Sequence, residues 1–168
     1  MRGAVAKTLG LTMMLAMAAP VAALAAGPVG VTYVAPETFR DREFRQAASR
    51  ASALAEFDRW FAELGARYLP SGQSLRIEVL EMDLAGDFEP WRTDWQDVRF
   101  LRDTTPPRIH MRWQLEQGGK VIRQGDARLH DMNYLWDPRG KGDSRRFIHD
   151  KLLIQDWFRK TFAPGVSG

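Results

Sequence analysis

The sequence predicts an α+β fold: a twisted, mainly antiparallel sheet of four to five strands with two helices packed on one face. The predicted order of elements is β-α-β-(β)-β-β-α. Two observations carry this prediction. Apolar residues recur at helical spacing in two stretches, residues 46–68 and 145–161, and apolar and polar residues alternate in the stretches that lie between them.

The first strand is expected over residues 29–34, since this β-rich run stops just before Pro36. The first helix is expected over residues 46–68, followed by Pro70 and Gly72, which end it. Its apolar stripe consists of Leu54, Phe57, Phe61, Leu64 and Tyr68.

The second strand alternates clearly, but its phase slips by one residue. Leu75, Ile77 and Val79 alternate with polar residues, and the alternation then resumes one position later with Leu80 and Met82. A one-residue slip would turn every later side chain to the other face of the sheet unless a bulge absorbs it. We therefore predict a β-bulge near Val79 and Leu80.

A hairpin is expected around Gly118 and Gly119, and a short strand is possible at residues 98–101. Pairing of opposite charges and of apolar residues favours a three-residue loop, with Leu115 opposite Val121 and His110 opposite Asp126. The last helix is expected over residues 145–161, capped by Asp143 or Ser144. Its buried side would consist of Phe147, Ile154, Trp157, Phe158 and Phe162.

Residues 1–25 have the three parts of a cleavable secretory signal peptide: a positive start, an uncharged apolar stretch over residues 9–24, and Ala23-Leu24-Ala25 as the cleavage site. The alternative is a retained membrane anchor, but the stretch is shorter than the roughly 20 apolar residues that span a bilayer. Gly10 and Pro20 also interrupt it. We expect residues 26–168 to form a single periplasmic domain with no integral membrane segment after cleavage.

Charge and composition exclude several classes of function. Two of the 24 Lys and Arg residues and none of the 21 Asp and Glu residues lie in residues 1–25, so the remaining chain carries a net charge of +1. A surface that is nearly neutral does not attract nucleic acid as a whole. The chain contains no cysteine, which excludes a lipoprotein anchor, a thiolate metal site and a cysteine nucleophile.

Two stretches carry a family resemblance. Residues 75–91 read LRIEVLEMDLAGDFEPW, and residues 131–135 read DMNYL ahead of a terminal helix that ends in DWFRKTF. This combination resembles an uncharacterised family of exported bacterial proteins, the domain of unknown function 3016. The resemblance implies export and a single domain. It implies no activity, substrate or catalytic residue.

The sequence contains no motif for catalysis, for a metal or for another cofactor, so we assign none of these sites. The acidic set of the central loop, Asp83, Asp87, Glu89, Asp94 and Asp97, lacks the spacing of a calcium loop. We expect its carboxylates to pair with Arg92 and Arg99. A small hydrolase that uses a carboxylate of residues 83–89 with His130 remains the alternative function, and a shared pocket for Asp83, Asp87 and His130 would favour it.

The leading hypothesis is a non-catalytic periplasmic module that binds another envelope protein or an amphipathic, anionic ligand. Basic residues gather before the last helix, and tryptophans occupy polar loops, where they could be buried anchors or an exposed contact patch. The candidate contact residues are Trp91, Trp95, Trp136, Arg139, Lys141 and Arg145.

Overall fold

The alternating segments form a four-stranded sheet in the computed structural model, which describes residues 28–91 and 98–163. The strands are β1 (Val29–Tyr33), β2 (Gln73–Asp83), β5 (Arg108–Gln117) and β6 (Lys120–His130), in the spatial order β1-β2-β5-β6. Strand β1 runs parallel to β2, and the other neighbours are antiparallel. Strands β3 (Asp87–Phe88) and β4 (Arg99–Phe100) pair in a separate two-stranded sheet, so the short strand expected near residue 98 lies outside the main sheet.

Helices α1 (Ala47–Tyr68) and α2 (Ile148–Phe162) both pack on one face of the main sheet, which confirms the predicted α+β architecture. The stripe of α1 supplies Phe57, Phe61 and Leu64, which are fully buried. Trp113 of β5 meets the rings of Trp157 and Phe162 edge-on, with centroids 6.1 and 5.3 Å apart. The aromatic residues of α2 therefore hold the helix over the centre of the sheet.

The approach of α1 to β1 explains why a helix interior contains Gly65. A Cβ atom at this position would lie 2.1 Å from Cγ2 of Val29, far inside van der Waals contact. Glycine costs a helix roughly 1 kcal/mol relative to alanine. The cost is offset here because the helix and the strand can pack closely.

The predicted bulge in β2 is confirmed. The register with β5 shifts between Val79 and Glu81, so Val79 pairs with Met111 and Met82 pairs with Ile109. Met82 is fully buried despite the change of phase. The bulge thus keeps both halves of the apolar pattern on the core face.

The predicted hairpin register is wrong. Gly118 and Gly119 both adopt positive φ angles, 57° and 75°, which is the requirement of a two-residue turn. The register then shifts at Ile122, which has no partner in β5, and Trp113 comes to face Gly125. A Cβ atom at Gly125 would lie 3.1 Å from the Trp113 ring, so glycine leaves the space that the indole occupies.

Helix α2 begins three residues later than predicted, and the expected cap is wrong. The N-cap residue is Phe147, which has a left-handed backbone (φ 58°) and makes no side-chain capping bond. The Asp143 carboxylate instead accepts the backbone N–H of Arg145 at 2.9 Å. The Phe147 ring stacks on Phe57 at 5.2 Å, and this packing fixes the strained residue in place.

Within residues 28–91 and 98–163 no helix packs on the second face of the main sheet, and cross-strand ion pairs lie on it. Arg76 bonds with Glu116 and Arg112 bonds with Glu78, each at 3.2 Å. His110 contacts Asp126 at 2.8 Å along a diagonal, although its direct partner is Arg128. Strands β1 and β6 form the two edges of this sheet. Neither helix in the described ranges combines the length and the apolar character that crossing a bilayer requires.

Candidate functional site

A cleft of about 860 Å³ opens beside the amino end of α2. Its walls are residues 140–150, the segment from the 3-10 helix Arg42–Phe44 into the start of α1, and the β3–β4 sheet. We call it the basic cleft because of the charged side chains that line it. These are Arg42, Arg99, Lys141, Arg145 and Arg146, against Glu43, Asp143 and Asp150.

A buried ion pair underlies the basic cleft. The two terminal nitrogens of Arg99 donate to the two carboxylate oxygens of Asp41, each at 2.8 Å. Asp41 is 6 % exposed. The same carboxylate accepts the backbone N–H of Leu84 at 3.2 Å and that of Glu43 at 2.7 Å. Arg99 also donates to the backbone oxygen of Gly86 at 3.1 Å, so this pair connects three segments of the chain: residues 41–43, residues 84–86 and β4.

A second buried carboxylate, Asp150, lies in the first turn of α2. It accepts the backbone N–H of Ala85 at 3.0 Å and is 1 % exposed. Burial raises its pKa from 3.8 to about 7, because the favourable charge of Arg99 only partly offsets the loss of hydration. The carboxyl therefore changes its charge near neutral pH.

His149 borders the cleft on the other side. Its ring meets Tyr134 edge-on at 4.9 Å, and burial lowers its pKa, which favours the neutral imidazole. Its buried Nδ1 atom has no hydrogen-bond partner among the described residues. A Cβ atom on Gly140 would come within 2.9 Å of this nitrogen, so only glycine fits at that point of the wall.

The cationic groups at the rim differ in how far they are neutralised. Arg146 donates to Glu43 and, at 2.8 Å, to Ser52. The Nε and one terminal nitrogen of Arg145 both donate to the Asp143 carboxylate. Lys141 makes no hydrogen bond or ion pair within residues 28–91 and 98–163, and its side chain is exposed. It is thus the cation most available to a ligand.

The structure brings together two of the six predicted contact residues, Lys141 and Arg145, in the wall of the basic cleft. Arg139 does not line it. This guanidinium donates to Asp137 and Asp156, at 2.6 and 2.8 Å, and both carboxylates neutralise it.

The loop tryptophans are exposed where the structure describes them. Trp91 is 73 % exposed and Trp136 is 77 % exposed, so the alternative of buried anchors is wrong for both. Trp136 lies next to Leu135, which lines the basic cleft, and Trp91 lines a neighbouring cleft. Trp95 lies outside the described residues, as do Arg92, Asp94 and Asp97.

The arrangement required by the alternative hydrolase is incomplete. Asp83 and Asp87 line one cleft, and burial raises the pKa of Asp83. His130 is not part of that lining; Arg108 separates it from Asp83 in the sheet register. Among the described residues no group of three or more acidic or histidine side chains is placed to hold a metal ion.

The expected partner of Arg99 is also corrected. Its guanidinium binds Asp41 and not the described carboxylates of the acidic loop, Asp83, Asp87 and Glu89. Arg102 binds Glu89. Sequence reasoning missed Asp41 and Arg42, which contribute to the cleft or its floor, whereas Arg146 belongs to the basic cluster expected before the last helix. The one local signal was Asp41 two residues before Glu43, a spacing that suits a carboxylate that caps a short turn.

The comparison with protein families matches residues 27–160 to the model described as a protein of unknown function, DUF3016. The chain belongs to the DUF3016 family. The match covers the main sheet, the basic cleft and nearly all of α2, so the site described above lies within the DUF3016 domain. Searches of curated proteins and of solved structures found no significant match.

Replacing Asp41 by asparagine tests the buried ion pair. The amide carries no charge, so Glu43 at 3.6 Å would be the one ion-pair partner left to Arg99 within the described residues, and we expect the free energy of unfolding to fall by about 3 kcal/mol. The matched control is Arg40→Gln, which removes a 3.8 Å pair with Asp83 from a side chain that is 69 % exposed. The control should cost less than about 1 kcal/mol. Urea denaturation of the two variants measures both values, and equal losses would contradict the role given to Asp41.

Replacing Asp150 by asparagine tests the buried carboxyl. Its pKa is raised in the folded chain, so the folded state holds a proton that the unfolded state has released between about pH 4 and pH 7. The protonated Asp150 carboxyl therefore contributes its full stability below about pH 4. This contribution falls as the pH rises and is lost once the pH has passed about 7.

Asparagine keeps an oxygen for the Ala85 N–H but does not titrate. From pH 5 to pH 8 the wild type should lose about 3 kcal/mol of unfolding free energy relative to Asp150→Asn. Urea denaturation at the two pH values measures the difference. A parallel pH dependence in the two proteins would contradict the prediction.

Proposed function

We propose that this protein is a non-catalytic binding module of the bacterial cell envelope, and that the basic cleft binds the anionic part of its ligand. The observation that carries the proposal is the excess of cationic groups around an open cleft, with Lys141 free of partners within the described residues. Clefts of this size, several hundred Å³, are typical of small-ligand sites.

The charges in the cleft support an anionic ligand over a cationic one. Five basic side chains face three acidic ones, and Asp150 is partly neutral near pH 7. Arg99 is committed to Asp41 and shapes the floor, whereas Lys141 and Arg145 are on the rim. A ligand carboxylate or phosphate would therefore contact Lys141 directly and could share Arg145 with Asp143.

The proposal keeps the expected compartment. Residues 1–25 would direct export and be removed after Ala25, which leaves the near-neutral domain in the periplasm. The exposed Trp91 and Trp136 fit a protein that works by contact with a partner or ligand, because large exposed aromatic side chains favour binding.

Anion binding is tested with inorganic pyrophosphate as the probe. We expect it to shift the backbone amide signals of residues 140–146 in the NMR spectrum of the purified protein. Lys141→Gln should weaken this binding by roughly fivefold, because one unpaired charge is removed from the site. The control is Lys120→Gln at the tip of the β5–β6 hairpin, which should leave the affinity unchanged. Binding that is absent, or equally weakened by both variants, would overturn the proposal.

Export is tested by the mass of the protein recovered from the periplasmic fraction of an expressing bacterium. The chain should begin at residue 26. Ala25→Arg should accumulate at full length, because the processing enzyme requires a small residue at this position. A wild-type chain that begins at Met1 in the cytosol would contradict the assignment.

A further inference from the structure

A second cleft, of about 480 Å³, adjoins the basic cleft. The two share Arg42 and Phe88 in their walls. The Phe88 ring contacts two guanidinium groups, that of Arg99 at 4.6 Å and that of Arg42 at 5.1 Å from its centroid. Since Arg99 is itself fixed by Asp41, these contacts hold the ring in place where the two clefts adjoin.

The second cleft combines polar walls with one large aromatic surface. Its lining includes basic, acidic and hydroxyl side chains, namely Arg40, Arg45, Arg108, Asp83, Asp87 and Thr104. Trp91 also lines this cleft, and its side chain is 73 % exposed. A tryptophan that is not packed into the core presents a broad apolar face beside planar and hydroxyl hydrogen-bonding groups.

This combination suits sugar rings better than a peptide. A pyranose ring has an apolar C–H face, which can pack on an indole, and an edge of hydroxyl groups, which guanidinium, carboxylate and threonine groups can bind. Peptides bind through apolar pockets, by pairing along a strand edge or, when they are acidic, on clusters of arginine residues. An acidic peptide would meet the arginines of this cleft but would offer no apolar ring face to Trp91. Leu84 of this cleft is fully buried, so it offers no apolar pocket, and β3 is only two residues long, too short for a peptide strand to pair along.

We propose that the two clefts form one groove for an acidic oligosaccharide, with a sugar ring stacked on Trp91 and a carboxylate of a neighbouring ring bound at Lys141. The inference rests on the proposed function, because it takes the basic cleft as the anion-binding half. It adds the ligand class and a second half of the site. An elongated ligand follows because the two clefts, of about 860 and 480 Å³, adjoin at Arg42 and Phe88 and offer more room than a single anion would fill.

The test compares three probes by isothermal titration calorimetry: tetragalacturonate, hexaglutamate and inorganic pyrophosphate. We expect tetragalacturonate to bind more tightly than the other two. Trp91→Ala should weaken the binding of tetragalacturonate by roughly tenfold, because one aromatic stacking contact is lost. The affinity for pyrophosphate should be unchanged. The control is Val121→Ala, which shortens an exposed apolar side chain that lines neither cleft. It should change neither affinity.

The outcomes separate the two proposals. If Trp91→Ala leaves tetragalacturonate binding unchanged, or if hexaglutamate binds as tightly as tetragalacturonate, the oligosaccharide assignment is overturned while anion binding stands. If pyrophosphate does not bind, or Lys141→Gln leaves its affinity unchanged, the proposed function itself fails. A shift of the Trp91 indole N–H signal on addition of tetragalacturonate, identified by its loss in Trp91→Ala, supports stacking at this ring.

Discussion

The pairing of Asp41 with Arg99 holds together the segments that form the floor of the basic cleft. One carboxylate accepts four donors, from the short helix after β1, from the end of β2 and from β4. Burying a charged carboxylate is costly unless an opposite charge and hydrogen bonds offset the lost hydration, and Asp41 has both. The connections between the main elements therefore converge on one point. The small β3–β4 sheet is held there by a side-chain network, because two residues of strand pairing could not hold it alone.

The elements with strong periodicity could be predicted from the sequence. The apolar stripe of α1 and the alternation of β2 show which side chains face the core. The one-residue phase slip after Val79 predicted the bulge that the structure contains. The hairpin register could not be obtained in this way. It depends on the turn type of Gly118 and Gly119 and on the space that Trp113 takes opposite Gly125, and charge pairing across the strands was the weaker constraint.

The site was predicted only in part, because some of its residues meet only in the folded chain. Lys141 and Arg145 are close in sequence, so their clustering is visible before folding. Asp41 and Arg99 are far apart in the chain and meet only through the tertiary structure. The beginning of α2 could not be predicted either. Phe147 adopts a left-handed backbone and stacks its ring on Phe57, and no capping motif in the sequence indicates this conformation.

Strand β6 is long and lies at the edge of the sheet, with Val121 and Ile122 about half exposed. Such an edge is a template on which another chain could add a strand. Here the edge carries Lys120, Arg123, Asp126 and Arg128, and a bulge at Ile122 interrupts its regular spacing. A stacked copy would have to bring like charges together or desolvate them. These charges and the bulge therefore disfavour the addition of a second copy along the edge of β6.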